Sequence, residues 1–181
     1  MHAIVRVMCL VLLLATCMAA CGTGAQPPEP AATGTRSTPD PAQSRVCLLL
    51  TKEQVDTVIP GHDGGSNRDT SEASLLRDVR LEHCQYMLVR NTDLRLLDVL
   101  IYTTTSDAGA ESLPDGLKRC TSDGCRQLDL GDRSFAAVRN GDPRVVVIKG
   151  RQHMELTLSG PEAAAKSDAL VELARVAARG L

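Results

Sequence analysis

The stretch LEHCQYMLVR-NTD-LRLLDVLIYTT, residues 81–104, decides the fold. Leu81 to Arg90 and Leu94 to Thr104 are runs rich in aliphatic and aromatic side chains, and Asn91-Thr92-Asp93 between them has turn chemistry. Together they predict a long β-hairpin. A second hairpin is expected from Ser134–Arg139 and Arg144–Lys149 across Asn140-Gly141-Asp142-Pro143. VRNTDLR in the first and VRNGDPR in the second share only a few positions, which reads as recurring turn chemistry and not as a true repeat. After a turn at Gly150-Arg151, Met154, Leu156 and Leu158 alternate with His153, Glu155 and Thr157, giving a fifth strand with one wet face.

Helices are expected on either side of these strands. Thr51-Lys52-Glu53-Gln54 fits a capping box, with Leu50 placed to staple against Val55, and Val55, Val58 and Ile59 make an apolar face that Pro60-Gly61 ends. A closing helix follows Pro161 and Glu162, with Leu170, Leu173, Ala174 and Ala177 at i, i+3, i+4, i+7 and Gly180 as its stop. Residues 62–74, HDGGSNRDTSEAS, read as an exposed loop, with a short helix from Ser71 to Asp78 as an option. The expected fold is therefore α+β: a mainly antiparallel sheet of about five strands, with N-terminal and C-terminal helices packed on one face.

The N-terminus reads as a leader. In MHAIVRVMCLVLLLATCMAA, residues 1–20, Arg6 precedes an apolar run from Val7 to Leu14 and then small residues, the layout of an export signal too short to span a bilayer stably. Met18-Ala19-Ala20-Cys21 resembles the bacterial lipobox, in which the cysteine becomes residue one and carries a thioether-linked diacylglyceryl group; Met18 stands where Leu is commonest. An ordinary cleavage site leaving Cys21 as a free thiol, and an uncleaved anchor, are the alternatives. Residues 21–45 are then lipidated Cys21 and a Pro/Thr-rich tether, because a stretch with five prolines and almost no bulky apolar side chains cannot offset its ordering entropy. Residues 46–181 form one extracytoplasmic domain.

Cysteine parity agrees with export. Of seven cysteines, Cys9 and Cys17 leave with the leader and Cys21 takes the lipid, so Cys47, Cys84, Cys120 and Cys125 remain. Four cysteines in an oxidising compartment suggest two disulfides from three possible pairings. Asp123-Gly124 reads as a turn that closes a local Cys120–Cys125 clasp, leaving Cys47–Cys84. The rival is zinc held by all four thiolates. A redox pair is disfavoured by the four intervening residues of the clasp.

Chemistry is sparse. The chain lacks GxSxG, a phosphate-cradling glycine loop and HExxH, so no catalytic residue and no cofactor is expected. His62, Asp63 and Asp69 are metal-ligand candidates in one loop, without a fixed ligand spacing and more simply solvated. His83 and Cys84 alternate on a strand and so face opposite ways, and His153 is expected at the surface. Balanced charge, 20 Lys+Arg against 22 Asp+Glu, two Tyr and one Phe give nucleic acid nothing to hold. Residues Ser106 to Asp132 are polar and rich in Asp and Gly, and with the His62 loop they are where a ligand or protein surface is expected.

Cys47-Leu48-Leu49-Leu50-Thr51-Lys52-Glu53-Gln54-Val55, Cys84-Gln85-Tyr86, Gly131-Asp132-Arg133-Ser134-Phe135-Ala136, the lipobox cysteine and the closing helix resemble small cell-envelope lipoproteins of actinobacteria that carry one extracytoplasmic domain of unknown function. The resemblance implies a disulfide between Cys47 and Cys84 and brings no catalytic residues. It implies a non-enzymatic ligand-binding or sensing module on the outer face of the cytoplasmic membrane. Its expected partners are the membrane through the lipid anchor and a small molecule, cell-wall component or envelope protein. A protein-contact module is the second reading, and a hydrolase or metal-binding protein using the His62 loop the third.

Overall fold

The computed structural model describes residues 44–68, 76–120 and 124–181. The leader, Cys21, nearly all of the tether, Asp69, most of the optional Ser71–Asp78 helix and the first part of the Cys120–Cys125 turn lie outside the described residues.

The chain is α+β, built on a seven-stranded antiparallel sheet of order β1-β2-β3-β7-β6-β5-β4. Strands β2 (Val79–Arg90) and β3 (Asp93–Thr104) form the long hairpin, paired from Val79 with Thr104 to Arg90 with Asp93. Asp93 thus belongs to the strand, and the turn contracts to Asn91-Thr92, where Asn91 takes φ 57°. The conformation suits a residue whose short polar side chain tolerates the left-handed region.

Strands β5 (Arg133–Arg139) and β6 (Asp142–Lys149) pair across Asn140-Gly141, and β7 (Gln152–Ser159) folds back on β6. Positive φ at both Asn140 (55°) and Gly141 (90°) is what a two-residue hairpin turn of mirror type requires. β7 then pairs with β3, which joins the two hairpins into one sheet.

Two strands beyond the five expected are β1 (Gly65–Asn67) and β4 (Arg126–Leu128), the two edges. Each spans three residues and pairs with one neighbour, so neither carries an apolar alternation in sequence. β1 lies where an exposed loop was expected. Its Gly65 is dictated by packing, because a Cβ there would stand 2.7 Å from the Tyr86 ring and 2.8 Å from Cys84 Sγ.

One buried cluster unites Cys84 and Tyr86 of β2, Leu97, Val99 and Ile101 of β3, Val145 and Val147 of β6, and Met154, Leu156 and Leu158 of β7. The ladder register places all of them on one face. Val46, Leu50, Val55, Val58 and Ile59 from the N-terminal segment join the same cluster, as do Leu170, Leu173, Ala174 and Ala177.

Ser44 caps a 3₁₀ turn over Arg45–Leu48, so the expected start of the domain at residue 46 falls inside that turn. The capping box forms as the sequence predicts: Thr51 N–H donates to Gln54 Oε1 at 2.8 Å and Gln54 N–H to Thr51 Oγ1 at 3.4 Å, opening α1 (Lys52–Val55). The closing helix begins later than Pro161 suggests. Glu162 sits at φ 61°, a 3₁₀ turn covers Ala163–Lys166, and the α-helix proper, here α4, spans Ser167–Ala177.

The opposite face carries a second, smaller core. Two short helices, α2 (Asp107–Ser112) and α3 (Asp115–Lys118), lie in the segment expected to be a polar loop. Ser106 Oγ accepts the Gly109 N–H at 3.0 Å and caps α2. Leu113 and Leu117, four residues apart, bury against Phe135, Val146 and Ile148. Leu113 and Leu117 are the strong apolar residues of the two helices, and they fold this part of the segment onto the sheet.

Candidate functional site

His62 is a core residue. It is 3 % exposed, its Nε2 lies 3.3 Å from the Lys52 carbonyl, and its Nδ1 accepts the Gly64 N–H at 3.0 Å. Because a carbonyl can only accept, Nε2 carries the proton and both ring nitrogens are occupied. The ring meets Tyr86 edge-on, centroids 5.4 Å apart. Placing His62 in a solvated loop is therefore corrected: the loop tucks the imidazole under α1, where it ties two backbone segments. Asp63 remains exposed, and among the described residues no group of three or more His, Cys, Asp or Glu is placed to hold a metal.

The four described cysteines form two disulfides, Cys47–Cys84 with Cα atoms 5.1 Å apart and Cys120–Cys125 at 5.9 Å. The first belongs to the main core and the second borders the smaller one, so the sulfurs are not gathered into a zinc set. Beside the first, Tyr86 Oη donates to the Cys47 carbonyl at 3.2 Å, and burial pushes the phenol up to about 12.

His83 lies on the face opposite Cys84, as strand alternation requires. Its Nε2 stands 2.7 Å from Asp98 Oδ1, which also accepts Gln85 Nε2 at 2.8 Å, while the Arg68 guanidinium donates to Gln85 Oε1. Burial pushes the Asp98 carboxyl up, but hydrogen bonds from His83 and Gln85, with the charges of His83 and Arg68, outweigh it and hold the group below its ordinary value. The polar row continues along the ladder: Asp98 pairs with Thr157, which pairs with Arg144, and Arg144 Nε lies 2.5 Å from Glu155 Oε1. Among the described residues His83 has no hydrogen bond to a hydroxyl or thiol, so this His–Asp pair lacks an adjacent nucleophile. Since Tyr86 and His83 lie on opposite faces, the sheet separates His62 from His83, and the two do not converge.

His153 overturns the surface expectation. It is 7 % exposed, with Nδ1 3.1 Å from the Leu117 carbonyl at the end of α3. Alternation correctly gives the polar face of β7, but α3 covers that face here. Beneath α2 and α3 lies a cleft of 360 Å³ whose lining includes Glu111, Lys118, Asp132, Arg133, Ile148 and His153. Most of these fall within or beside the 106–132 segment. This volume is within the range of small-molecule sites.

The lining has one open imidazole nitrogen. The Leu117 carbonyl fixes the proton on Nδ1, leaving a lone pair on Nε2 in the neutral ring. Nε2 has no partner among the described residues. Among the described residues Arg144 Nε, beside Glu155 Oε1, is the one fully buried side-chain polar atom without a hydrogen bond, and His153 is part of the cleft lining. Around it, Lys118 Nζ donates to the Glu111 carbonyl at 2.9 Å, Arg133 Nη1 to the Lys118 carbonyl at 2.8 Å, and Asp132 Oδ2 accepts the Gly150 N–H at 2.6 Å. The lining thus combines the imidazole of His153, the charged groups Glu111, Lys118, Asp132 and Arg133, and the apolar side chain of Ile148. Sequence reasoning found the segment but missed His153, whose burial depends on a helix formed 36 residues earlier.

Among the described residues no helix is long and apolar enough to cross a membrane. No family model, no curated protein and no solved structure matches the chain.

Proposed function

We propose that the protein is a non-enzymatic ligand-binding module of the cell envelope, exported and held on the outer face of the cytoplasmic membrane by a lipid on Cys21. The observation that carries the binding half is the 360 Å³ cleft with the buried His153 in its lining. In this reading the terminal helical segments close one face of the sheet, and the other face is left to α2, α3 and the cleft. A non-enzymatic role is supported by the separation of His62 from His83 and by the want of a hydroxyl or thiol hydrogen-bonded to His83 among the described residues. The leader, the lipobox-like Met18-Ala19-Ala20-Cys21 and the resemblance to small actinobacterial envelope lipoproteins support the placement.

Two measurements test the two halves. Intact-mass analysis of the membrane-associated protein is expected to show a chain beginning at a diacylglyceryl-modified Cys21; a water-soluble product beginning elsewhere removes the anchor. For binding, thermal unfolding of the full chain in detergent micelles is followed against pooled small-molecule fractions of the cell envelope. A ligand at a hundred times its Kd stabilises by about 2.7 kcal/mol, and no stabilisation by any fraction counts against the module.

A protein-contact role is favoured by one feature. Met87, Val89 and Leu94, 38 %, 60 % and 45 % exposed, sit together on the open face near the tip of the β2–β3 hairpin, an apolar patch that water does not favour.

A further inference from the structure

We propose that the cleft under α2 and α3 recognises a sugar or amino-sugar unit; this rests on the ligand-binding reading above. The argument is an inventory of open donors and acceptors. His153 Nε2 offers a lone pair. The Glu111 carboxylate has neither a hydrogen bond nor an ion pair among the described residues, while Asp132 uses Oδ2 for Gly150 and keeps Oδ1 open. Three side chains therefore present acceptors.

Donors are scarcer. Lys118 Nζ is taken by the Glu111 carbonyl and by Asp115 at 3.4 Å, and Arg133 spends Nη1 on the Lys118 carbonyl, leaving the rest of its guanidinium.

A phosphate or carboxylate entering this cleft meets Lys118 and Arg133 but also two carboxylates and an imidazole lone pair, so the lining holds no net charge to offset its own. A free amino acid reaches the acceptors through its single ammonium only, although its carboxylate can pair with Arg133. A polyol suits the whole set. Each hydroxyl both donates and accepts, so its protons satisfy His153, Glu111 and Asp132 while its oxygens take the remaining Arg133 donors. The C–H side of the ring lies against Ile148. A neutral ligand also avoids the cost of moving a full charge out of water, and an amine in place of one hydroxyl adds a cation facing the two carboxylates.

The test uses the full chain in detergent micelles with ¹⁵N-labelled histidine. Glucose, glucosamine and N-acetylglucosamine are titrated as probes, with inorganic phosphate and glycine as comparators; affinity is read by calorimetry and the His153 Nε2 resonance by NMR. At least one sugar probe is expected to bind and to move Nε2 in the direction of an accepted hydrogen bond. Glu111→Gln, an exposed change that leaves both cores untouched, is expected to weaken that binding roughly 10-fold, the size of one charge-assisted hydrogen bond. Phosphate or glycine shifting His153 while every sugar fails overturns the ligand class and leaves the cleft a binding site. Sugar binding with the His153 signal unmoved overturns the location. No binding by any probe overturns the proposal, whereas the broader module falls only if the envelope fractions also fail to stabilise the chain.

Discussion

His83 Nε2 and Asp98 Oδ1 meet at 2.7 Å along a diagonal of the β2–β3 ladder, since the register pairs His83 with Leu100 and Asp98 with Gln85. One carboxylate oxygen thereby serves two side chains of the neighbouring strand and locks them on the open face of the sheet.

This carboxylate makes stability depend on acid. The folded pKa of Asp98 lies below its ordinary value, so the unfolded chain binds the proton more readily. Its contribution is complete above the unfolded value of about 3.9 and disappears as pH falls through the folded one. Asp98→Asn is expected to lower stability at pH 7 by about 1–3 kcal/mol and to flatten the fall of Tm below about pH 4. Thermal unfolding of both forms from pH 7 to pH 2 checks it; parallel curves would remove Asp98 from the acid response.

The two disulfides are expected to contribute unequally. Cys47 and Cys84 are 37 residues apart and Cys120 and Cys125 only 5. Loop-closure entropy then assigns about 4 kcal/mol to the first and about 2 kcal/mol to the second. Cys47→Ala with Cys84→Ala should depress Tm roughly twice as far as Cys120→Ala with Cys125→Ala, as measured by calorimetry. The opposite order would mean that the clasp holds α3 in place beyond its loop entropy. Non-reducing peptide mapping of the native chain should recover both pairs.

Which parts of this fold the sequence discloses follows from how far each signal must reach. The β2–β3 hairpin, the capping box at Thr51 and Gln54, and the Leu170–Ala177 face depend on residues a few positions apart, and all are legible. β1 is not, because Gly65-Ser66-Asn67 carries no pattern of its own and becomes a strand only by pairing with Cys84–Tyr86. His153 and His62 fail for a related reason. Each reads as solvated from its neighbours, and each is buried by a distant element, α3 in one case and α1 in the other. The cleft was legible only as a location, since its defining atom, His153 Nε2, takes its role from the Leu117 carbonyl.

Gly65 supplies a sharp test of packing at the β1 edge. Gly65→Ala brings a methyl within 2.8 Å of both the buried Tyr86 ring and Cys84 Sγ. The disulfide pins one neighbour, and the hydrogen bond to Cys47 holds the other. A cost of about 1–3 kcal/mol is expected, against little change for Ser66→Ala on the exposed side of the same strand. Chemical denaturation of both variants decides it; equal midpoints would show that β1 yields without penalty.

His62 separates a structural imidazole from a metal ligand. Both of its nitrogens are engaged by backbone, with Lys52 and Gly64, and its ring is packed on Tyr86. Binding a metal through it would require breaking at least one of these hydrogen bonds inside a core. His62→Ala should therefore destabilise by roughly 2–4 kcal/mol, from two hydrogen bonds and an aromatic contact. Stoichiometric zinc or a chelator should leave the Tm of the native chain unchanged. A zinc-dependent rise in Tm that disappears in the variant would instead make His62 a ligand. The Lys52 carbonyl would then lose the ring N–H and keep only the helical Asp56 N–H at 2.9 Å, so α1 would no longer hold the ring beneath it.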